Sequence, residues 1–273
     1  MKNVRVHLVI IVAALVVVAA SVLFPARSSH GQSLRSSASF VAAAERNATL
    51  KNELTWTFGG KQQRGWYLYE SLIGKTLNTN HESTTSDFAA ALAAWQKRMR
   101  LSADGVLDEN SLMRMISQWQ SNRLKDRTVA TPDQLLTAPP ADFYDPGRAA
   151  ELRQVERNTY EAYKQMVAAA RADRKLDLPS QYLKIVSAFR SRDYQDQLRQ
   201  KSPNSGPAGL AVNSPHFTGR ALDLYVGGDP VDTKDSNRAI QTNTPAYRWL
   251  VRNAERFGFR PYFYEPWHWE YVK

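Results

Sequence analysis

At 273 residues, 43% hydrophobic and 23% charged, the chain is long enough for two ordinary packed domains. It has no cysteine, which excludes a disulfide framework, a thiolate nucleophile, a thiolate zinc finger and a cysteine-held iron–sulfur cluster. Any catalytic metal must be held by carboxylates and the five histidines, and the net charge of +10 favours anionic partners: nucleic acid, anionic lipid or an acidic wall polymer.

Lys2 and Arg5 precede an uncharged apolar run from Leu8 to Phe24, and Arg27 follows. A basic flank before a terminal apolar run is the pattern of a secretory signal. At this length the run also suits an uncleaved anchor. Residues 1–32 are therefore expected to be a signal peptide or N-terminal membrane anchor, with membrane contact only through residues 8–24 and only if the segment is uncleaved. The body would be exported to the cell envelope. Lys2, Arg5 and Arg27 are the charged residues of this segment, so the remainder carries +7. Export argues against nucleic acid and for an envelope polymer as the partner.

Residues 33–52, rich in Ser, Ala and Arg, read as a linker. Leu54 to Ile73 carries aromatic residues around Gly59-Gly60 and suggests a short β-hairpin. Ser86-Asp87 opens a helical stretch with Phe88, Leu92, Trp95 and Met99 on one face. Asp104-Gly105 is a turn, and Leu112, Met115, Ile116 and Trp119 form the apolar face of another helix. These elements make a small, mainly helical domain over residues 53–125. Residues 126–145, with Thr131-Pro132 and Pro139-Pro140, read as a second linker.

Asp145-Pro146-Gly147 has the residues of a helix start, which predicts a helix to about Arg174. Lys184–Phe189 and Ala221–Val226 read as strands. Thr244-Pro245 starts a helix that Gly258 stops, and Arg260–Val272 is an aromatic, strand-like end. This order predicts an α+β second domain over residues 146–273.

Two histidines lie beyond residue 81, His216 and His268, and each has a carboxylate near it. His216 sits in Ser214-Pro215-His216-Phe217-Thr218-Gly219-Arg220-Ala221-Leu222-Asp223, and His268 in Glu265-Pro266-Trp267-His268. Two imidazoles and one carboxylate are a common catalytic zinc set with a fourth position left for water. A second carboxylate could then serve as general base. A turn at Gly219 would bring His216 toward Asp223, and Pro266 keeps Glu265 and His268 off a regular helix.

The string Ser214-x-His216-x-x-Gly219-x-Ala221-x-Asp223, followed by Glu265-x-x-His268, resembles the signature of the LAS metallopeptidases. More narrowly, it resembles the VanY-type D-alanyl-D-alanine carboxypeptidases of the M15 family. The resemblance implies a LAS-type zinc peptidase fold, a small antiparallel sheet with flanking helices. It also implies that His216, Asp223 and His268 hold Zn2+ and that Glu265 is the catalytic base. Phe189-Arg190-Ser191-Arg192-Asp193-Tyr194-Gln195 is similar to the family's YRSxxxQ segment. By that similarity Arg190 would contact the scissile carbonyl or the substrate carboxylate, and Ser214 and Gln195 would contact substrate. Phe189 stands where the family usually has Tyr, and Glu270 where Arg is common; neither is expected to touch the metal set.

The helical stretch with Trp95-Gln96, then Leu101-Ser102-Ala103-Asp104-Gly105-Val106 and Ser111-Leu112, resembles a peptidoglycan-binding domain, with Arg100 and Asp108 in place of glycines. The two resemblances together imply a zinc-dependent peptidoglycan peptidase, foremost a D-alanyl-D-alanine carboxypeptidase using a zinc-held water. A D,D-endopeptidase on cross-links, or a non-catalytic wall-binding protein, are the alternatives. A serine carboxypeptidase is excluded by the absence of a Ser-x-x-Lys tetrad, and the chain has no Gly-x-Ser-x-Gly elbow.

Overall fold

In the computed structural model, which describes residues 29–201 and 213–273 with side chains from Ala38 onward, segment 33–52 is not a linker. It belongs to helix α1, Ser29–Glu53. The expected signal or anchor at 1–32 lies almost wholly outside the described residues. Among the described residues no helix is long and apolar enough to cross a membrane. The buried face of α1 is made by Ala43, Ala44 and Asn47. Small residues give close helix packing without the large apolar stripe that marks amphipathicity in a sequence.

α1 leads into a hairpin, β1 (Thr55–Phe58) and β2 (Lys61–Arg64), turning at Gly59-Gly60 as expected. A short 3-10 turn at Tyr67–Tyr69 runs into α2 (Glu70–Leu77), followed by α3 (Ser86–Arg98) and α4 (Glu109–Ser121). The predicted apolar faces of α3 and α4 are buried, Phe88, Leu92 and Trp95 against Leu112, Met115 and Ile116 in one cluster. α1 is integral to this unit. Asn47 donates to the Gly105 carbonyl at 2.9 Å and accepts from the Leu107 amide at 2.7 Å, tying α1 to the Asp104-Gly105 turn. Gln96 of α3 reaches the same turn, accepting from Gly105 N–H at 2.9 Å and donating to the Val106 carbonyl and Ser111 Oγ. Gly105 has φ +76°, and a Cβ there would stand 2.6 Å from the Ala89 carbonyl oxygen, so no larger residue fits.

Asp108, in place of a glycine, caps α4 by accepting from the Ser111 amide at 2.8 Å. Arg100, the other replacement, is held at φ 57°. The left-handed region costs an L-residue about 1–2 kcal/mol, offset only in part by the larger unfolded-state entropy of glycine. Arg100→Gly is therefore expected to raise stability by about 0.5–1 kcal/mol, read by thermal or urea denaturation.

The second expected linker, 126–145, is also ordered. Its strand β3 (Leu135–Thr137) pairs antiparallel with β4 (Gln154–Glu156), and Phe143 bridges to Ile185. The predicted helix from Asp145 starts twelve residues later, as α5 (Arg157–Ala172). Asp145-Pro146-Gly147 is a turn instead, closed by the Gly147 amide on Asp145 Oδ1 at 2.9 Å. β4 claims the residues before α5, and Glu156 caps it by accepting from the amides of Asn158 and Thr159.

The central sheet has order β5-β6-β8-β7, formed by Ile185–Ser187, Ala221–Leu224, His268–Tyr271 and Phe259–Pro261, with every neighbouring pair antiparallel. Helix α6 (Arg192–Lys201) follows β5. Helices α7 (Asp235–Asn243) and α8 (Pro245–Asn253) lie between β6 and β7, and Thr244 caps α8. Mixed helices and small antiparallel sheets make the chain α+β, as expected. One hydrophobic core runs through both halves, from Trp56 of the hairpin to Trp269 of β8.

Candidate metal centre

The register of the sheet builds the centre. Asp223 of β6 lies opposite His268 of β8, and Ser187 of β5 lies opposite Asp223. Leu222 and Trp269 point to the other face and fill the core. His216 arrives on a 3-10 turn, Pro215–Thr218, that ends at Gly219 with φ +65°. A Cβ on Gly219 would meet Leu135 Cδ2 at 2.9 Å and the Glu156 backbone nitrogen at 3.0 Å, so the turn that delivers His216 beside Asp223 requires glycine.

His216, Asp223 and His268 are buried, and one donor atom from each lies within 4.8 Å of the others. His216 Nδ1 is 2.6 Å from the Ala188 carbonyl oxygen. A carbonyl only accepts, so Nδ1 carries the proton and Nε2, 3.3 Å from Asp223 Oδ1, keeps its lone pair. Burial, then the charge of Arg190, pushes His216 down to about 4, which keeps the ring neutral. His268 presents Nδ1 to Asp223 Oδ1 at 2.9 Å. Burial opposes a charged ring there, but hydrogen bonds to Asp223 and Glu270 hold His268 up to about 9. Burial also opposes the Asp223 carboxylate, yet His216 and Arg190 hold it well below the usual range. The donor chemistry fits a divalent cation: two imidazole nitrogens and a carboxylate oxygen converge, and each ring's other nitrogen is bonded outward.

Glu265 follows the turn Tyr262–Glu265, closed by its own amide on the Tyr262 carbonyl at 3.2 Å. Its Oε2 is 3.9 Å from His268 Nδ1, while its buried Oε1 has no hydrogen-bond partner among the described residues. Such an atom is costly unless something polar completes it. Burial pushes the Glu265 carboxyl up to about 8, so it can hold a proton near neutral pH.

The three expected substrate contacts have other partners. Arg190 is only 8% exposed: Nη2 bonds Asp223 Oδ2 at 2.6 Å, Nε bonds Ser187 Oγ at 2.9 Å and Nη1 bonds Gln195 Oε1 at 3.3 Å. Arg190 thus braces the outer oxygen of a candidate ligand. Ser214 Oγ accepts from the His216 amide at 3.3 Å and so caps the turn. Gln195, buried on the first turn of α6, takes its place through Arg190.

Glu270 corrects the sequence reading, which placed it away from the metal set. Its Oε1 is 3.3 Å from His268 Nε2, and the side chain is fully buried. Arg123, just beyond α4, donates to the same oxygen through Nη2 at 2.5 Å and Nε at 3.1 Å. The signal for Glu270 was period two: on a strand, His268 and Glu270 face the same way. Arg123 is 147 positions away and had no local signal.

No curated protein matches the chain in sequence. Residues 152–273, which contain His216, Asp223, Glu265 and His268, match the family model VanY, D-alanyl-D-alanine carboxypeptidase.

Proposed function

We propose that the chain is a zinc-dependent peptidoglycan hydrolase that removes the terminal residue of a D-alanyl-D-alanine stem peptide. The observation that carries this reading is the buried His216–Asp223–His268 set with the unpartnered Glu265 oxygen beside it, inside the VanY match. Zinc, when held by these three side chains, would supply Lewis acidity toward a water and the scissile carbonyl. Glu265 would take a proton as water attacks and return it to the departing amine. Its elevated affinity for a proton suits both halves of that transfer. Arg190 keeps Asp223 ionised and fixed, and Ala188 and Glu270 orient the two rings.

The first domain, with its Gln96–Gly105–Ser111 turn network, is proposed to hold the enzyme against peptidoglycan, helped by the excess positive charge. Export through residues 1–32 would place it there. The test is mass spectrometry of muropeptides digested by the purified protein, with and without a chelator. Loss of one terminal alanine, abolished by chelation and restored by zinc, is the expected result. Loss of cross-linked dimers instead would make it an endopeptidase. No cleavage by zinc-loaded protein would leave only a wall-binding role.

A further inference from the structure

Glu270 is the point where the two halves of the molecule meet the metal centre. The carboxylate is fully buried and accepts from Arg123 through two nitrogens, from the Leu124 amide at 2.9 Å and from His268 Nε2 at 3.3 Å. Arg127 Nη1 stands a further 3.8 Å from Oε1. Arg123 and Leu124 lie two and three residues beyond the end of α4, while Glu270 and His268 are on β8. Arg123 also sits over Tyr262, its guanidinium carbon 3.9 Å from the ring centroid, at the start of the turn that carries Glu265. Arg123 and the His268 ring share one oxygen of Glu270, so the arginine governs how strongly that oxygen draws the ring's N–H.

The first domain grips the turn itself. Phe263 is ringed by Phe58, Tyr69 and Trp119 at centroid distances of 4.8, 5.4 and 6.0 Å. Tyr264 lies tilted beside Phe58, and its carbonyl accepts from the buried Arg238, which also reaches the Tyr69 hydroxyl. Residues 262–265 and His268 are thus fixed from the first domain as well as from their own sheet.

We propose that the first domain is a working part of the metal centre, in which Arg123 and Glu270 are positioning residues that orient His268 for the metal. The inference rests on the metal reading above. Outer hydrogen-bond partners of a ligating histidine are commonly worth about 10–100-fold in metal affinity. In the full-length protein, Arg123→Gln is expected to weaken zinc about 10-fold in a chelator competition. It should also shift the visible absorption of the cobalt-loaded protein, which reports ligand geometry, while Arg123→Lys recovers both. Glu270→Gln, whose amide oxygen still accepts from His268 but no longer pairs a charge with Arg123, should show the same two changes. It serves as the test if Arg123→Gln does not fold.

Lys75→Ala breaks a different contact between the halves, the 3.0 Å pair with Glu255, and should leave zinc affinity and the cobalt spectrum unchanged. If the folded Arg123 and Glu270 variants keep the parent's affinity and spectrum, or if Lys75→Ala changes them equally, the proposal is overturned. A parent protein that binds neither zinc nor cobalt overturns the metal reading itself, which separates the two failures.

Discussion

Glu265→Gln is expected to yield a folded protein that still binds zinc and hydrolyses stem peptide about 10²–10⁴ times more slowly. Glutamine keeps the volume and one carbonyl oxygen but cannot take up or return a proton at this position. The structure gives two reasons to expect the loss in the chemical step. Oε1 is buried with no hydrogen-bond partner among the described residues, and Oε2 approaches His268 Nδ1 only to 3.9 Å, so little of the fold hangs on this carboxyl. Burial also pushes its proton affinity up to about 8, the range in which a group accepts and returns protons efficiently near neutrality. Stability should change little, because a neutral amide of the same size replaces a carboxyl that burial already favours in its neutral form. The decisive pair of measurements is metal content and turnover on one purified sample. Zinc at the parent's level with turnover reduced by at least about 100-fold supports the base role. Parent-like turnover would remove Glu265 from the mechanism, and loss of zinc would make it a ligand instead.

What could be read from the sequence follows from how local the determining interactions are. The turn at Gly219 and the strand ending in Asp223 are set within a few residues, so spacing alone placed His216 beside Asp223. The Asp104-Gly105 turn and the faces of α3 and α4 were legible for the same reason. Helix α1 was not, because its buried face is built from alanines and Asn47, which look like spacer composition until α3 and the Gly105 turn are packed against them. The start of α5 was misplaced because a non-local pairing, β3 with β4, takes up the residues before Arg157. The misreading of Glu270 has a similar origin. Its residue type was visible as a departure, but its effect depends on Arg123, which only the tertiary fold delivers. Arg190, too, was singled out, but as a substrate contact, and its partner within the fold was not legible. The structure turns it toward Asp223 Oδ2.

Asp223→Ala is expected to lose both the metal and much of the stability, because this carboxylate does three things at once. It is the single acidic member of the candidate ligand set, so its removal leaves two imidazoles and no anionic donor for a divalent cation. It is also the hydrogen-bond partner of both rings, at 3.3 Å from His216 Nε2 and 2.9 Å from His268 Nδ1. And it neutralises Arg190, a guanidinium with only 10% of its side chain exposed. Breaking a buried ion pair from one side typically costs about 3–5 kcal/mol, since the remaining charge stays desolvated without a partner. For a chain of this size that corresponds to a fall in Tm on the order of 10 °C. His216→Ala separates the contributions. It removes a ligand but leaves Asp223 paired with Arg190 and His268, so it should lose zinc with a smaller fall in Tm. Metal analysis and calorimetry on the two variants test the ordering, with the parent measured both zinc-loaded and chelated to isolate the metal's own contribution to Tm. A folded Asp223→Ala protein that retains zinc at the parent's level would take Asp223 out of the ligand set. An unchanged Tm against the chelated parent would mean that Arg190 finds solvent or another acceptor, and that its contact with Asp223 does not hold this part of the sheet together.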